Sequence, residues 1–275
     1  MSSTKIQELK RAMRVYRVLM GAAYRAELQY RGNLLLMILG GLTFQIVGLA
    51  FIGAVVYRYG DIGGWQLPEI AFLYGLRLTA HGLWLVPFGQ VGAIDVIVRQ
   101  GEFDRYLVRP ANPLVQLLTR RLVFTGFGDL IGGVVLLGLA AAWADLDWSP
   151  LAIGYLILAV IGGALIELSA QLACAAGAFR MLTTHGPRAV VDQLFNTLGH
   201  YPMHIFGAGV RFGLTFALPI AFVSYVPATV LLGRQGELSI PYWLAIAAPL
   251  VGVVLFAGAY RLWARQIRHY TSSGH

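Results

Sequence analysis

The chain has 275 residues, of which 57% are hydrophobic and only 12% are charged. Soluble globular domains carry about 25% charged residues, so this composition excludes a soluble enzyme and a disordered protein. The net charge of +8 does not indicate a nucleic-acid binder, because the arginines are dispersed over several separate connections.

The first 31 residues predict an amphipathic helix that lies in the membrane interface. Ile6, Leu9 and Met13 recur at the three- to four-residue spacing of one helix face, and basic side chains such as Lys10 fall on the other side. No short apolar core with a small-residue cleavage site follows, so a cleaved signal peptide is not expected. The segment 1–31 is therefore expected to remain cytoplasmic, either as a membrane anchor or as a lever that a cytoplasmic partner pushes.

Long apolar runs predict six membrane-spanning helices within residues 33–263, because one crossing needs about 20 apolar residues. The predicted spans are 33–57, 69–91, 122–144, 151–178, about 205–232 and 242–263. Pro219 and Pro227 interrupt the fifth of these spans, so it is not expected to be one straight helix. The fold class expected is all-α, with the whole chain, 1–275, forming one transmembrane domain.

The distribution of Lys and Arg predicts how these spans are oriented. Basic residues concentrate in the N-terminal arm, the 92–121 connection, the 179–204 connection and the C-terminal end, whereas the other side holds only Arg58 and Arg234. Connections rich in Lys and Arg stay in the cytoplasm, so both termini are expected there. The basic excess is expected to contact anionic membrane lipid rather than nucleic acid.

Four ionisable side chains fall within the predicted spans, and their charges sum to zero: Arg77, Asp129, Glu167 and Arg211. Charged groups inside a membrane pair with one another or face water, because an isolated charge there is costly. His81 follows Arg77 by one helical turn and is a further polar candidate. Two interpretations stay open, namely structural ion pairing and the polar lining of a substrate path. Asp129 and Arg211 are expected to pair, because both are placed near the cytoplasmic ends of their spans.

The motifs of self-contained catalysis are missing from the sequence. It has no GxxxxGK[ST] phosphate loop, no HExxH and no GxSxG. His200 and His204 are four residues apart, but Pro202 separates them and no acidic or cysteine ligand is near, so no metal site is expected. The chain is expected not to be an enzyme and to hold no cofactor of its own.

The connection between the second and third predicted spans is the most distinctive segment. From Asp95 it reads DVIVRQGEFDRYLVRPANPLVQLLTRR, which alternates acidic, basic and apolar residues over more length than a turn needs. Within it, GEFDRYLVRP at 101–110 resembles the GELDR-x-L-x-RP pattern of bacterial type-2 ABC exporter permeases. The stretches 62–75, 201–206 and 214–234 are similar to the same family and occur in the same order.

The resemblance implies a bacterial inner-membrane exporter built from two permeases and two separate ATPase subunits, which bind ATP and Mg²⁺. The second permease is implied to be a related chain or an identical copy. The 92–121 connection would be a coupling helix seated in a cleft of the ATPase, and the stretch 219–227 would form short re-entrant helices at the outer face. The implied coupling residues are Gly101, Glu102, Asp104, Arg105, Arg109 and Pro110. Phe103 departs from the pattern, which usually has an aliphatic residue at this position.

The function expected is the permease half of an ATP-driven exporter that moves an unidentified substrate out of the cytoplasm or the inner leaflet. The alternative is a stand-alone ion-coupled secondary transporter with Asp129, Glu167 or His81 as titrating groups. That alternative would need a midplane site with internal symmetry, and the sequence has no internal repeat. A membrane enzyme that acts on lipid would need clustered carboxylates or histidines, which the sequence does not show.

Overall fold

The computed structural model describes residues 14, 16–22, 24–25, 28–109, 111–144, 146, 148–180 and 184–270. This part of the chain folds into α-helices, short 3-10 turns and one π-helical turn, Gly213–Ala217, with one isolated β-bridge between Ile62 and Trp65. The α-helices in chain order are α1 (Arg31–Tyr59), α2 (Leu67–Phe88), α3 (Ile94–Arg99), α4 (Asp104–Leu107), α5 (Pro113–Leu118), α6 (Thr125–Trp143), α7 (Pro150–Ala176), α8 (His185–Leu198), α9 (Ala208–Phe212), α10 (Tyr225–Leu231), α11 (Tyr242–Ile246) and α12 (Ala248–Gln266). The all-α fold predicted from the sequence is confirmed.

Much of the predicted N-terminal helix and one predicted coupling residue lie outside the described residues. These are residues 1–13, 15, 23 and 26–27 of that helix, and Pro110. Residues 16–22 are helical, and the Tyr16 ring lies 6.1 Å from the Phe88 ring, measured between their centroids. This contact places the described part of the N-terminal segment beside the end of α2.

Four helical stretches are long and apolar enough to cross a membrane: Arg31–Tyr59, Leu67–Arg99, Thr125–Trp143 and Pro150–Phe179. A fifth candidate is a bent pair, Ala208–Ala217 and Ile220–Leu231, whose halves meet at 71°. α12 is as long as α6, but Arg261 and Arg265 near its end lower its hydropathy. The chain is therefore a multi-pass membrane protein with four to five candidate spans among the described residues, and the count of six stays a prediction.

The long helices run back and forth between two ends of a bundle. The end that holds residues 60–66 is termed the loop end, and the end that holds residues 89–124 is termed the connection end. α2 and α6 approach closely at Gly75, where a Cβ atom would lie 2.7 Å from the backbone nitrogen of Leu137. α7 and α12 meet in the same way at Gly162, where a Cβ atom would lie 2.6 Å from the backbone of α12. Small residues permit such close packing of membrane helices.

The bent pair enters and leaves the bundle at the loop end. Just before it, His204 Nε2 lies 2.7 Å from the carbonyl oxygen of Gly63. Just after it, Arg234 donates to the two carboxylate oxygens of Glu69 at 2.6 and 2.8 Å. Between these points the chain reaches the interior, where the Val223 carbonyl oxygen lies close to the backbone of α7. The bent pair therefore follows the path of a re-entrant segment and not that of a further crossing.

The two prolines expected to break this segment differ in their positions. Pro219 lies at the bend, directly before the 3-10 turn Ile220–Phe222. Pro227 lies in the first turn of α10, where the missing N–H of a proline costs no helical hydrogen bond. Pro227 therefore lies at the start of the second half of the bent pair, and the expectation that the predicted fifth span is not one straight helix is confirmed.

α8 lies where the sequence predicts only a connection, 179–204. Arg188 of α8 donates to Gln171 Oε1 of α7 at 2.8 Å and to the carbonyl oxygen of Gly92 at 2.7 Å. The C-terminal end of α8 leads directly to His200, which is buried against α2. The expectation of a simple connection is wrong, because α8 is amphipathic and its polar residues interrupt the apolar run that a hydropathy reading requires.

A cluster of polar contacts fixes the loop end. Arg234 Nη1 donates to Glu237 Oε1 at 2.8 Å, and Trp65 Nε1 donates to Glu237 Oε2 at 2.7 Å. The hydrogen bond to Glu69 raises the pKa of Arg234 above its ordinary value. Glu69 also accepts from the backbone N–H of Gln66 at the start of α2. The cluster therefore ties the end of the re-entrant segment to the first turn of α2.

Candidate functional site

The buried charges of α2 and α7 form an ion pair inside the bundle. Arg77 Nε lies 3.2 Å from Glu167 Oε1, and the two side chains are only 1% and 3% exposed. These atoms are close without the alignment of a hydrogen bond, so the attraction is between the charges. Glu167 Oε2 accepts hydrogen bonds from His81 Nδ1 at 2.6 Å and Trp84 Nε1 at 2.9 Å. Arg77 Nη2 lies 3.3 Å from the same His81 nitrogen. We assign the proton to His81 Nδ1 because its contact with the Glu167 carboxylate, which only accepts, is the shorter of the two.

A second carboxylate extends this network from α2 to α6 and α1. Asp129 Oδ1 of α6 accepts from Gln45 Nε2 of α1 at 2.7 Å. Gln45 Oε1 in turn accepts from the Tyr74 hydroxyl at 2.7 Å. His81 Nε2 lies 3.8 Å from Asp129 Oδ2, so the imidazole stands between the carboxylates of Asp129 and Glu167. One network of side chains therefore joins α1, α2, α6 and α7.

His200 closes the network from the side of α8. Its Nε2 lies 3.5 Å from Arg77 Nη1, and its ring stacks on Tyr74 with the centroids 4.0 Å apart. Since a guanidinium can only donate, His200 Nε2 is the accepting nitrogen. His204 contacts Gly63 at the loop end instead, so the two histidines do not share a site.

A cavity of about 260 Å³ borders this network between α1, α2 and α8. Phe44, Phe51 and Ile52 form an apolar part of its wall, and we term it the polar cavity for the amide, hydroxyl and imidazole groups of the rest. Gln45, Tyr74 and His200 belong both to the network and to the cavity wall, and α8 contributes Asn196 and Thr197. No Asp, Glu, Lys or Arg from the described part of the chain lines this cavity. It therefore offers hydrogen-bonding and aromatic groups, while the charged side chains lie behind its wall.

The connection end holds the second group of predicted site residues. α3 ends in a Schellman motif, in which Gly101 has a φ of +69° and its N–H donates to the carbonyl oxygen of Val98 at 3.1 Å. The N–H of Glu102 donates to the carbonyl oxygen of Ile97 at 3.0 Å and completes the motif. A glycine is needed here because side chains disfavour a positive φ. The motif turns the chain from α3 into α4.

Arginine side chains surround a cavity of about 170 Å³ beside this turn. Arg105 and Arg109 line it and are exposed. Glu102 Oε2 lies 3.6 Å from Arg120 Nη2 across the same cavity. Asp104 lies on the other side of α4, next to the last described residue of the chain. Burial and then the nearby Asp104 carboxylate raise the pKa of this residue, Tyr270. The face around the cavity therefore carries a net positive charge.

Comparison with known proteins assigns the family. The profile described as ABC-2 family transporter protein matches residues 42–274, which is most of the chain. The chain belongs to the ABC-2 transporter family. Neither the comparison with curated proteins nor the comparison with solved structures finds a match.

Members of the ABC-2 family are generally non-catalytic membrane subunits of ABC transporters, which work with ATPase partners. This chain is therefore a membrane permease of an ABC transporter. Family membership favours this function over the stand-alone ion-coupled transporter that the sequence left open as an alternative.

The structure brings together four of the five polar residues predicted inside the spans of this ABC-2 permease. They are Arg77, His81, Asp129 and Glu167. The fifth, Arg211, lies on α9 of the re-entrant segment, near enough to Tyr225 for an electrostatic interaction with it. The predicted pairing of Asp129 with Arg211 is wrong, because the re-entrant segment enters from the loop end and Asp129 is held by other side chains.

The sequence of this ABC-2 permease does not predict the side chains of the network that carry no formal charge, namely Gln45, Tyr74 and His200. Gln45 and Tyr74 lie within apolar runs that were assigned only as spans. An amide near the middle of a span is itself a signal, because a buried amide needs a partner. His200 falls in the predicted connection 179–204, so the sequence places it outside the bundle and gives it no part in a buried network.

We expect Gln45→Ala and Asp129→Asn to be non-additive in their effect on thermal stability, because Gln45 donates directly to Asp129. Arg211→Gln and Asp129→Asn should add within about 0.5 kcal/mol, as expected for residues that share no partner. Melting temperatures of the purified single and double variants in detergent measure both couplings. A coupling of Asp129 to Arg211 as large as its coupling to Gln45 would contradict this network.

Proposed function

We propose that this ABC-2 permease belongs to an ATP-driven exporter that moves its cargo out of the cytoplasm or the inner leaflet. The observation that carries the proposal is the positively charged face at the connection end, where Arg105 and Arg109 are exposed beside Glu102 and Arg120. The sequence has no phosphate loop of its own, so the energy has to arrive through contacts with another subunit.

Two separate ATPase subunits would bind ATP and Mg²⁺ and would receive the connection 92–121. Nucleotide binding moves a permease only through contacts that differ between two states of the ATPase. Gly101 supports this role because its turn sets the direction of α4. Arg105 and Arg109 would face acidic side chains of the ATPase, whereas Asp104 is already engaged within this chain.

A second permease, either a related chain or an identical copy, would complete the cargo path. α8 supports this arrangement, because Gln193 and Thr197 are exposed on it and border the polar cavity. Amide and hydroxyl groups are poorly solvated by lipid, so we expect water, cargo or a partner chain, and not lipid, to contact this face of α8. The cargo path would therefore run along the cavity between α1, α2 and α8.

The proposed orientation places the connection end and both termini in the cytoplasm of a bacterium, with the protein in the inner membrane. The chain would form one permease domain with six crossings, in which α8 and the stretch after it make the fifth crossing. The segment 1–31 would lie in the cytoplasmic interface. The excess of Lys and Arg on this side supports the orientation.

Reversal of both exposed arginines, Arg105→Glu with Arg109→Glu, should remove the ATPase from the complex while the permease still inserts. A single exposed ion pair contributes only about 0–1 kcal/mol, so both charges are reversed. The measurement is the ATP hydrolysis that co-purifies with a tagged chain from its own membranes, and Arg58→Glu at the loop end is the control. ATPase retained by the double variant would contradict this contact, and no ATPase with the unaltered chain would contradict the proposed function.

A cysteine placed at Thr197 should react with a small, polar thiol reagent, whereas one placed at Val254 should not. Both positions are exposed, but Thr197 borders the polar cavity and Val254 lies on an apolar face of α12. The reactive thiolate forms in water and not in lipid. The labelling rates of Thr197→Cys and Val254→Cys are compared in membranes, each in a Cys174→Ala background. Equal and slow labelling would argue against a water-accessible path along α8.

A further inference from the structure

A buried aromatic cluster lies beneath the exposed arginines of the connection end. Phe103 is fully buried, and its ring centroid lies 5.1 Å from that of Phe179 and 5.1 Å from that of Tyr270. Trp263 lies 6.3 Å from Phe103 and 4.9 Å from Phe179. The pairs among Phe103, Phe179 and these neighbours are edge-to-face, a geometry that adds attraction beyond the burial of the rings.

The four rings of this cluster come from three parts of the fold. Phe103 immediately precedes α4, and Phe179 ends the 3-10 turn that follows α7. Trp263 lies in the last turns of α12, and Tyr270 follows that helix. The connection therefore rests on the ends of α7 and α12, which are distant from it in sequence.

The Phe103 ring contacts the rings of Phe179, Trp263 and Tyr270, and so links the connection to both helix ends. Phe103 directly follows Glu102, which pairs with Arg120, and it precedes the exposed Arg105 by two residues. A force applied to Arg105 of α4 would reach the bundle through the fully buried Phe103 ring next to this helix. Close-packed interiors transmit displacement because they contain few voids.

We propose that Phe103 is a positioning residue that transmits the ATPase-driven movement of α4 to α7 and α12. This role rests on the proposed function, since it needs an ATPase that contacts the connection. The larger ring in place of the aliphatic residue usual in the resembling pattern fills the space between the two helix ends and makes contact with both.

The same link reaches the polar cavity through α7. Glu167 precedes Phe179 by twelve residues, or about 18 Å along a helix. Glu167 holds Arg77, which contacts His200 in the cavity wall. A displacement of the end of α7 would therefore be felt at the residues that border the proposed cargo path.

The single cysteine of the chain provides a reporter for this movement. Cys174 is partly buried on α7 and precedes Phe179 by five residues. The experiment measures the rate at which N-ethylmaleimide labels Cys174 in the complex purified with its ATPase, with ATP and vanadate or without nucleotide. We expect the two rates to differ for the unaltered chain and for Phe103→Leu, which keeps an apolar side chain at this site.

In Phe103→Ala, the nucleotide-dependent difference in labelling should be lost while the ATPase still co-purifies and hydrolyses ATP. Phe72→Ala is the matched control, because Phe72 is equally buried on α2 but outside the cluster. The control should keep the difference, which separates transmission from a general loss of packing.

Three results would overturn the role of Phe103 while leaving the proposed function intact. They are no nucleotide-dependent difference in the unaltered complex, a full difference in Phe103→Ala, and an equal loss in Phe72→Ala. Absence of any ATPase from the unaltered, tagged chain would overturn both the role of Phe103 and the proposed function.

Discussion

The ion pair between Arg77 and Glu167 is the interaction on which the arrangement of the helices depends. An isolated charge cannot remain inside an apolar bundle without a large desolvation cost, so α2 and α7 must keep these two side chains together. His81 and Trp84 donate hydrogen bonds to Glu167 Oε2, and these bonds replace those that water would make to this oxygen. The register of α2 against α7 is therefore set by charge as well as by packing.

The remaining elements are placed by contacts that start from this pair. Asp129 and Gln45 bring α6 and α1 to the same network, and His200 brings the end of α8 to Arg77. The polar cavity forms where these helices meet. The aromatic cluster around Phe103 packs against the C-terminal end of α7, whereas Glu167 of the same helix belongs to the ion pair. α7 therefore links the connection to the network that borders the cavity. In the proposed exporter, this helix would connect the ATPase contact to the cargo path.

Hydropathy and charge predicted the parts of this fold that differ in composition from their surroundings, namely the long apolar helices and the charges inside them. The apolar runs predicted α1, α2, α6 and α7, and the cost of buried charge predicted that ionisable residues inside spans would pair. α8 was not predicted, because its polar residues interrupt the apolar run. The re-entrant path of α9 and α10 was implied by the resemblance and not by hydropathy, since a bent apolar pair and a crossing have the same composition.

The partners within the site could not be predicted for a related reason. Opposite charge and predicted positions near the cytoplasmic ends of their spans suggest that Asp129 and Arg211 pair. The re-entrant segment enters from the loop end instead, and this places Arg211 near that end. The contacts of Gln45 with Asp129 and of His200 with Arg77 depend on how the helices pack, which the sequence does not show. In the sequence, Phe103 is only a departure from a pattern, whereas its burial between two helix ends gives the physical reason for an aromatic ring at this position.

The most direct test of the central ion pair compares Arg77→Met, Glu167→Met and the double variant by thermal denaturation in detergent. Each single change should cost about 3–5 kcal/mol, because it leaves the other charge buried and unpaired. The double variant should be more stable than either single variant, since it removes both charges together. If the double variant loses as much stability as the two single variants combined, the pair does not organise the bundle.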